Sequence, residues 1–159
     1  MSIEAGVTPI IEPMTERDVE AVARLRVAAF FEGSARTPHE DAAGLRTLLA
    51  GDGFETALVA RADGVSVGTC LLVRHELEPA HDLMPWLAGL AVDRDHRNKG
   101  IGRALVTAIE AHAASIGVEK LYLYTWEARD FYIGLGWVVV ERFEQDGHPM
   151  LLMARELRL

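Results

Sequence analysis

The residues with the clearest chemical potential stand together in Arg97-Asn98-Lys99-Gly100-Ile101-Gly102-Arg103. Glycine at the mouth of a helix lets the backbone approach a ligand closely, and the first N–H groups of a helix have no partner inside it. Those donors, with the positive end of the helix dipole, form an anion site. The chain has formal net charge -8, yet Arg94, Arg97, Lys99 and Arg103 crowd into this one stretch. Positive charge gathered against an acidic background points to a bound phosphate group. A second gathering holds His75, Glu76, Glu78, His81 and Asp82. Its spacing fits no closed tetrahedral metal pattern, so no metal is expected there. Cys70, the single cysteine, lies in an apolar run and reads as an inert core thiol; alone it excludes an internal disulfide and a cysteine-built metal site.

The glycine loop needs a strand to feed it and a helix to follow. Trp86 to Val92 is an almost unbroken apolar run, as for a strand covered on both faces. Gly102 to Ile116 carries Leu105, Ile109 and His112 roughly in line and closes at Gly117, which predicts a helix. Leu121 to Thr125 is the next strand, so the order from 86 to 125 implies a right-handed parallel crossover. Upstream, Val7 to Pro13 reads as a first strand. Helix starts are signalled at Thr15 with Asp18 three residues on, and at Thr37-Pro38. Thr56 to Arg61 and Val65 to His75 flank Asp63-Gly64 as a hairpin, and 75 to 85 is a polar loop. Downstream, Ala128 to Leu135 forms a short helix stopped by Gly136. Trp137 to Phe143 and Met150 to Arg155 make a last hairpin around Gln145-Asp146-Gly147. The sum is a single α/β (α+β) domain over residues 1–159, with a mixed sheet and helices packed on it.

Composition sets the remaining bounds. Hydrophobic residues make up 50% and charged residues 25%, which suits a globular protein. The sequence has no apolar run long enough to cross a bilayer and no basic start of a signal peptide, so a cytoplasmic location is expected. The acidic balance argues against nonspecific nucleic-acid binding, which depends on cationic surface.

At this point the residues resemble the GNAT superfamily of acetyl-CoA-dependent N-acyltransferases. Arg97-Asn-Lys-Gly100-Ile-Gly102 is similar to that family's Arg/Gln-x-x-Gly-x-Gly/Ala loop, Leu90-Ala91-Val92-Asp93 to its fourth strand, and Arg103-Ala104-Leu105 to its helix start. Farther on, Arg129-Asp-Phe-Tyr132-Ile-Gly-Leu-Gly136-Trp137 is similar to its second signature. The resemblance implies a mostly antiparallel central sheet of about six to seven strands, with helices on both faces and strands 4 and 5 splayed. It further implies that the amides of residues 97–103 hold the CoA pyrophosphate and that Arg97, Lys99 and Arg103 add side-chain contacts. Backbone at Leu90, Ala91 and Val92 would pair with the pantetheine arm, and one amide there would polarise the thioester. Tyr132 would give a proton to the departing sulfur. Thr125-Trp126-Glu127 departs from the family pattern, which often has asparagine there.

The implied activity is acetyl transfer from acetyl-CoA to a primary amine, by direct attack in a ternary complex. Glu76, Glu78, His81, Asp82, Glu127 and Asp130 are candidates to take the amine proton, with water as an alternative. Phe31, Glu76, Asp82, Trp126 and Glu127 are the expected acceptor-side residues, and their carboxylates favour a small cationic amine. A protein N-terminus or lysine is an alternative acceptor, and a non-catalytic acyl-CoA-binding module an alternative role. Pairing through the last strands would give a homodimer. A dinucleotide-binding domain fits poorly, because Leu105 stands where the third glycine of its fingerprint belongs.

Overall fold

A computed structural model describes residues 9–76 and 81–157. Glu78, and Val7 and Thr8 of the expected first strand, lie outside the described residues. The elements are β1 (Ile10–Pro13), α1 (Val19–Phe30), α2 (Pro38–Leu49), β2 (Thr56–Ala62), β3 (Val65–Val73), β4 (Trp86–Val92), α3 (Ile101–Ser115), β5 (Lys120–Thr125), α4 (Arg129–Gly134), β6 (Val138–Gln145) and β7 (His148–Glu156).

Local chemistry sets the element ends. Thr37 caps α2 reciprocally: its hydroxyl accepts from the Glu40 amide at 3.1 Å and its own amide donates to the Glu40 carboxylate at 2.8 Å. At the entry to α1 the Asp18 carboxylate accepts from the Thr15 amide and hydroxyl at 2.9 and 3.0 Å. A short 3₁₀ turn at Glu16–Asp18 precedes α1. Both hairpin turns are left-handed at two successive residues, Asp63 and Gly64 at φ 52° and 79°, and Asp146 and Gly147 at φ 51° and 79°. That geometry matches the twist of the flanking strands.

The seven strands form one sheet in the order β1-β2-β3-β4-β5-β7-β6, antiparallel except for β4 beside β5. The last hairpin therefore enters with its second strand: β7 pairs with β5 and β6 becomes the edge. One face is covered by α1 and α2 around Val19, Val22, Leu45, Val59 and Leu71. The other is covered by α3 and α4 around Leu105, Ile109, Leu121, Leu123, Trp137 and Met153. Burying an aliphatic side chain of the size of Leu105 or Ile109 contributes about 2 kcal/mol.

Two departures from a regular sheet shape the middle of the molecule. The parallel strands β4 and β5 pair in register only at Trp86 and Tyr122, near the start of each, with the Tyr122 amide donating to the Pro85 carbonyl at 3.2 Å. Beyond that point they part, and the gap opens toward the glycine loop. In addition, β4 bulges. Thr69 faces Ala91 but Leu71 faces Ala88, so β4 has one residue more than β3 over this span. Gly89 sits in the bulge at φ 63°, and a Cβ there would collide with the Arg26 guanidinium of α1.

Candidate active site

The loop between β4 and α3 is built around Asp93, whose carboxylate accepts from the Asp95 amide at 3.2 Å and bonds His96 Nδ1 at 2.8 Å. The His96 bond holds the Asp93 carboxyl below the usual carboxylate range. The chain then turns through Asn98 at φ 63° and Gly100 at φ 83°. Gly100 caps α3 in the left-handed region, where no clash would prevent a side chain but the backbone conformation disfavours one. The Ala104 amide makes a helical bond to the Gly100 carbonyl at 3.0 Å. The amides of Ile101, Gly102 and Arg103, in the first turn, are the donors such a helix start leaves without helical acceptors.

Those groups open into a cleft of about 480 Å³. Its walls come from Leu90, Ala91 and Val92 of β4, from His96, Arg97, Asn98, Gly100, Ile101, Gly102 and Arg103, from Ala29 and Phe30 at the end of α1, and from Glu127 and Phe131. Gly102 keeps the floor low: a Cβ there would meet Phe131 at 3.5 Å and Leu90 and Val92 at 3.9 Å. Arg97 folds back, its Nε donating to the Val92 carbonyl at 3.1 Å. Arg94, Lys99 and Arg103 form no ion pair with a described residue, which leaves their charge available to an anion, while Arg97 also acts on the Asp93 carboxylate.

Two further clefts adjoin this one through shared residues. One, of about 370 Å³, is lined by Trp126, Glu127, Arg129, Asp130, Arg142 and Phe143, among others. The other, of about 490 Å³, is lined by Phe30, Trp126, Gln145, Asp146, His148 and Met150. Glu127 joins the first cleft to the second, Phe30 joins the first to the third, and Trp126 joins the second to the third. Trp126 is 56% exposed and meets His148 edge-on at 5.4 Å. An exposed indole beside carboxylates is a surface suited to a cation.

Every residue expected at the phosphate loop thus lines one cleft, except Lys99, which sits exposed in the same loop. Of the expected acceptor-side residues, Trp126 and Glu127 line these walls. Phe31 does not; it stacks under the Arg36 guanidinium at 5.2 Å, and its neighbour Phe30 faces the clefts instead. Glu76 and Asp82 line none of the three clefts. Tyr132 lines none of the three clefts: it is 6% exposed, with its ring 5.0 Å from Phe131, which lines the first, and 5.9 Å from Trp137. Burial pushes its phenol pKa up, with Cys70 adding to the effect. The hydroxyl is therefore a neutral O–H donor at any working pH.

Sequence reasoning missed Arg26. Its Nε donates to Asp41 at 2.9 Å, and Arg36 bonds the same carboxylate at 3.0 Å. Asp41 is 1% exposed, so two guanidinium groups balance its buried charge. This cluster ties α1 to α2 and sets Arg26 against the Gly89 bulge. Among the described residues, no group of three His, Cys, Asp or Glu side chains is placed to hold a metal ion, and no helix is long and apolar enough to cross a membrane.

With this geometry in place, the chain belongs to the acyltransferases. It is a member of the acetyltransferase (GNAT) family, whose sequence profile matches residues 19–137. No curated protein matches it by sequence. Solved structures match closely in fold. An aminoglycoside 6'-N-acetyltransferase complexed with coenzyme A aligns with a TM-score of 0.74 at 18% identity, over 93% of this chain and 97% of its own. A ribosomal-protein-alanine N-acetyltransferase from Brucella melitensis aligns at 0.77 and 20%, over 92% and 99%. A phosphinothricin acetyltransferase from Sinorhizobium meliloti in complex with AcCoA aligns at 0.78 and 16%, over 95% and 89%. These identities speak for the fold, and the three acceptors differ.

Proposed function

We propose that this protein transfers an acetyl group from acetyl-CoA to a primary amine, small and cationic, by direct attack in a ternary complex. The observation that carries the reading is the adjoining set of clefts. One end holds helix-start amides and unpaired cations, which suit a pyrophosphate. The other end holds the exposed indole of Trp126 with Glu127, Asp130 and Asp146, and an ammonium group there would sit against the indole and these carboxylates, with Arg129 and Arg142 in the same wall. The bulged strand β4 walls the first end beyond its parting from β5, and Glu127 and Phe30 join the two ends.

The residues divide the work accordingly. Ile101, Gly102 and Arg103 offer backbone N–H groups to the pyrophosphate, and Arg97, Lys99 and Arg103 offer charge. Leu90, Ala91 and Val92 present strand backbone to the pantetheine arm across the gap where β5 has withdrawn. Acetyl-CoA supplies the activated acyl thioester. Tyr132, neutral and protonated, gives its proton to the departing sulfur. Use of the same fold as a non-catalytic acyl-CoA-binding module is the alternative. The cytoplasm as the place of action, and pairing of two copies through the β6 edge, where Val138 and Val140 are 58% and 52% exposed, belong to the same proposal.

The test is release of free CoA thiol from acetyl-CoA against a panel of mono-, di- and polycationic amines, with neutral and anionic amines as controls. Turnover that rises with acceptor positive charge supports the reading. Turnover confined to anionic amines overturns the acceptor class, and none with any amine leaves the binding module.

A further inference from the structure

Beside the cleft lined by Trp126, Glu127 and Phe143 stands a chain of three polar side chains from three parts of the fold. Tyr124 comes from β5, Glu141 from β6, and His81 from the segment before β4. His81 Nδ1 lies 2.7 Å from the Tyr124 hydroxyl, and His81 Nε2 lies 3.1 Å from a Glu141 carboxylate oxygen. A carboxylate only accepts, so His81 Nε2 must carry the hydrogen in this pair. The Nδ1 of the neutral ring is then an acceptor, and Tyr124 donates to it. The Tyr124 oxygen keeps its lone pairs for a donor arriving from outside.

The location gives this chain its meaning. Trp86 and Tyr122 are the one in-register pair of β4 and β5, so Tyr124 is the next residue of β5 on that face, where the strands have parted. Its ring packs against Trp86 at 4.5 Å between centroids. Phe143, a wall of the cleft that Trp126 and Glu127 also line, touches His81 at 5.0 Å and Tyr124 at 5.3 Å. The His81 side chain is 14% exposed, and Glu141 is half exposed. Burial first, then the negative charges of Glu76 and Glu141, raise the Tyr124 phenol above its ordinary range, which keeps it protonated. Among the described residues, Glu76 and Glu141 are the charged groups that act on Tyr124, and Glu141 is the one paired with His81.

We infer that Tyr124, His81 and Glu141 form the relay that removes the proton from the acceptor ammonium. This rests on the acetyl-transfer reading above. The ammonium N–H proton passes to the Tyr124 oxygen as the Tyr124 proton passes to His81 Nδ1. The amine is left neutral with its lone pair free, Tyr124 is unchanged, and His81 becomes an imidazolium held by the Glu141 carboxylate. The proton leaves to water after turnover. No carbon bond changes in this step. Tyr124 is the catalytic residue, and His81 and Glu141 act through it.

The experiment is the pH profile of kcat/KM for the amine in wild type, His81→Gln, Tyr124→Phe and Glu141→Gln, with KM for acetyl-CoA measured alongside. H81Q and Y124F are expected to lose about 100-fold, within the usual range for a general base. H81Q should also lose the acid limb of the profile. KM for acetyl-CoA should stay within about twofold, since the phosphate loop is untouched. E141Q, changed at an exposed site, should fold normally and lose about 10-fold. An acceptor whose amine is already neutral at the assay pH should restore most of the H81Q rate, which a merely structural role would not produce. In the folded protein, nitrogen-15 NMR should find neutral His81 protonated at Nε2. If H81Q keeps both its rate and its acid limb while the wild type turns over, or if His81 is protonated at Nδ1, the relay is wrong and the acetyl-transfer reading stands. If the wild type acetylates no amine, that reading fails and the relay falls with it.

Discussion

Placing a carboxylate at Gly102 should separate ligand binding from stability, because the two respond in opposite directions. Gly102 is the second residue of α3, and its amide belongs to the proposed pyrophosphate site. A glutamate there puts a carboxylate where a phosphate should lie. Losing one charge-assisted bond costs about 2–3 kcal/mol, and repulsion in this open cleft adds about 1 kcal/mol after screening. The sum, about 3–4 kcal/mol, weakens acetyl-CoA binding by about 100- to 1000-fold.

The apo fold should not suffer from the same change. A Cβ at Gly102 makes only ordinary contacts, the nearest at 3.5 Å from the Phe131 ring. Glycine is a poor helix residue, and an acidic side chain in the first turn interacts well with the dipole, so the gain is up to about 1 kcal/mol. Thermal denaturation reads both effects. Acetyl-CoA at 100 times Kd stabilises the wild type by about 2.7 kcal/mol, which in a domain of this size is about 5–10 °C. At the same concentration Gly102→Glu should shift by about 1.5 °C or less, with its ligand-free Tm equal to or above that of the wild type. Gly102→Ala should keep most of the wild-type shift. A Gly102→Glu protein that shifts as the wild type does would refute the placement of the phosphate at this helix end.

Three further outcomes follow from particular side chains. Tyr132→Phe should lower kcat by roughly 10- to 100-fold with acetyl-CoA affinity unchanged, measured by steady-state kinetics and equilibrium binding; an unchanged kcat at every pH removes Tyr132 from the mechanism. Burial pushes the Asp18 carboxyl pKa up, but hydrogen bonds from Arg61 (2.6 Å) and Thr15 outweigh it and hold the pKa below the ordinary range. Its stabilisation is therefore complete above about pH 4 and lost as pH falls below that, so Asp18→Asn should flatten the acid arm of urea stability measured against pH. Cys70 is fully buried and its thiol pKa is pushed up by desolvation, so a thiol reagent should label it only as fast as the protein opens, and stoichiometric labelling of the native fold would contradict that packing.

The fold was largely legible because its punctuation is local. Thr37-Pro38, Asp63-Gly64, Asp146-Gly147 and Gly117 each act within a few residues, and the structure places turns or element ends at all of them. The glycine turn between β4 and α3 was legible for the same reason, since its glycines and cations are nearly consecutive. The insertion of β7 between β5 and β6 was not legible, because strand order depends on pairings across the sheet. The β4 bulge left one faint trace, a glycine inside an apolar strand, which periodicity alone does not separate from ordinary packing. Arg26 and Asp41, like His81, Tyr124 and Glu141, meet only after folding, so no spacing rule could pair them. Phe30 and Phe31 are adjacent apolar residues at a helix end; which one faces the cleft depends on where α1 stops and on the hold Arg36 takes on Phe31.

The central claim is that the cleft at the start of α3 binds acetyl-CoA. Calorimetric titration of the purified protein with acetyl-CoA, with NAD as the control ligand, tests it most directly. The account predicts saturable binding at one site per chain for acetyl-CoA and none for NAD. No heat of binding at millimolar acetyl-CoA, or equal binding of NAD, would contradict it.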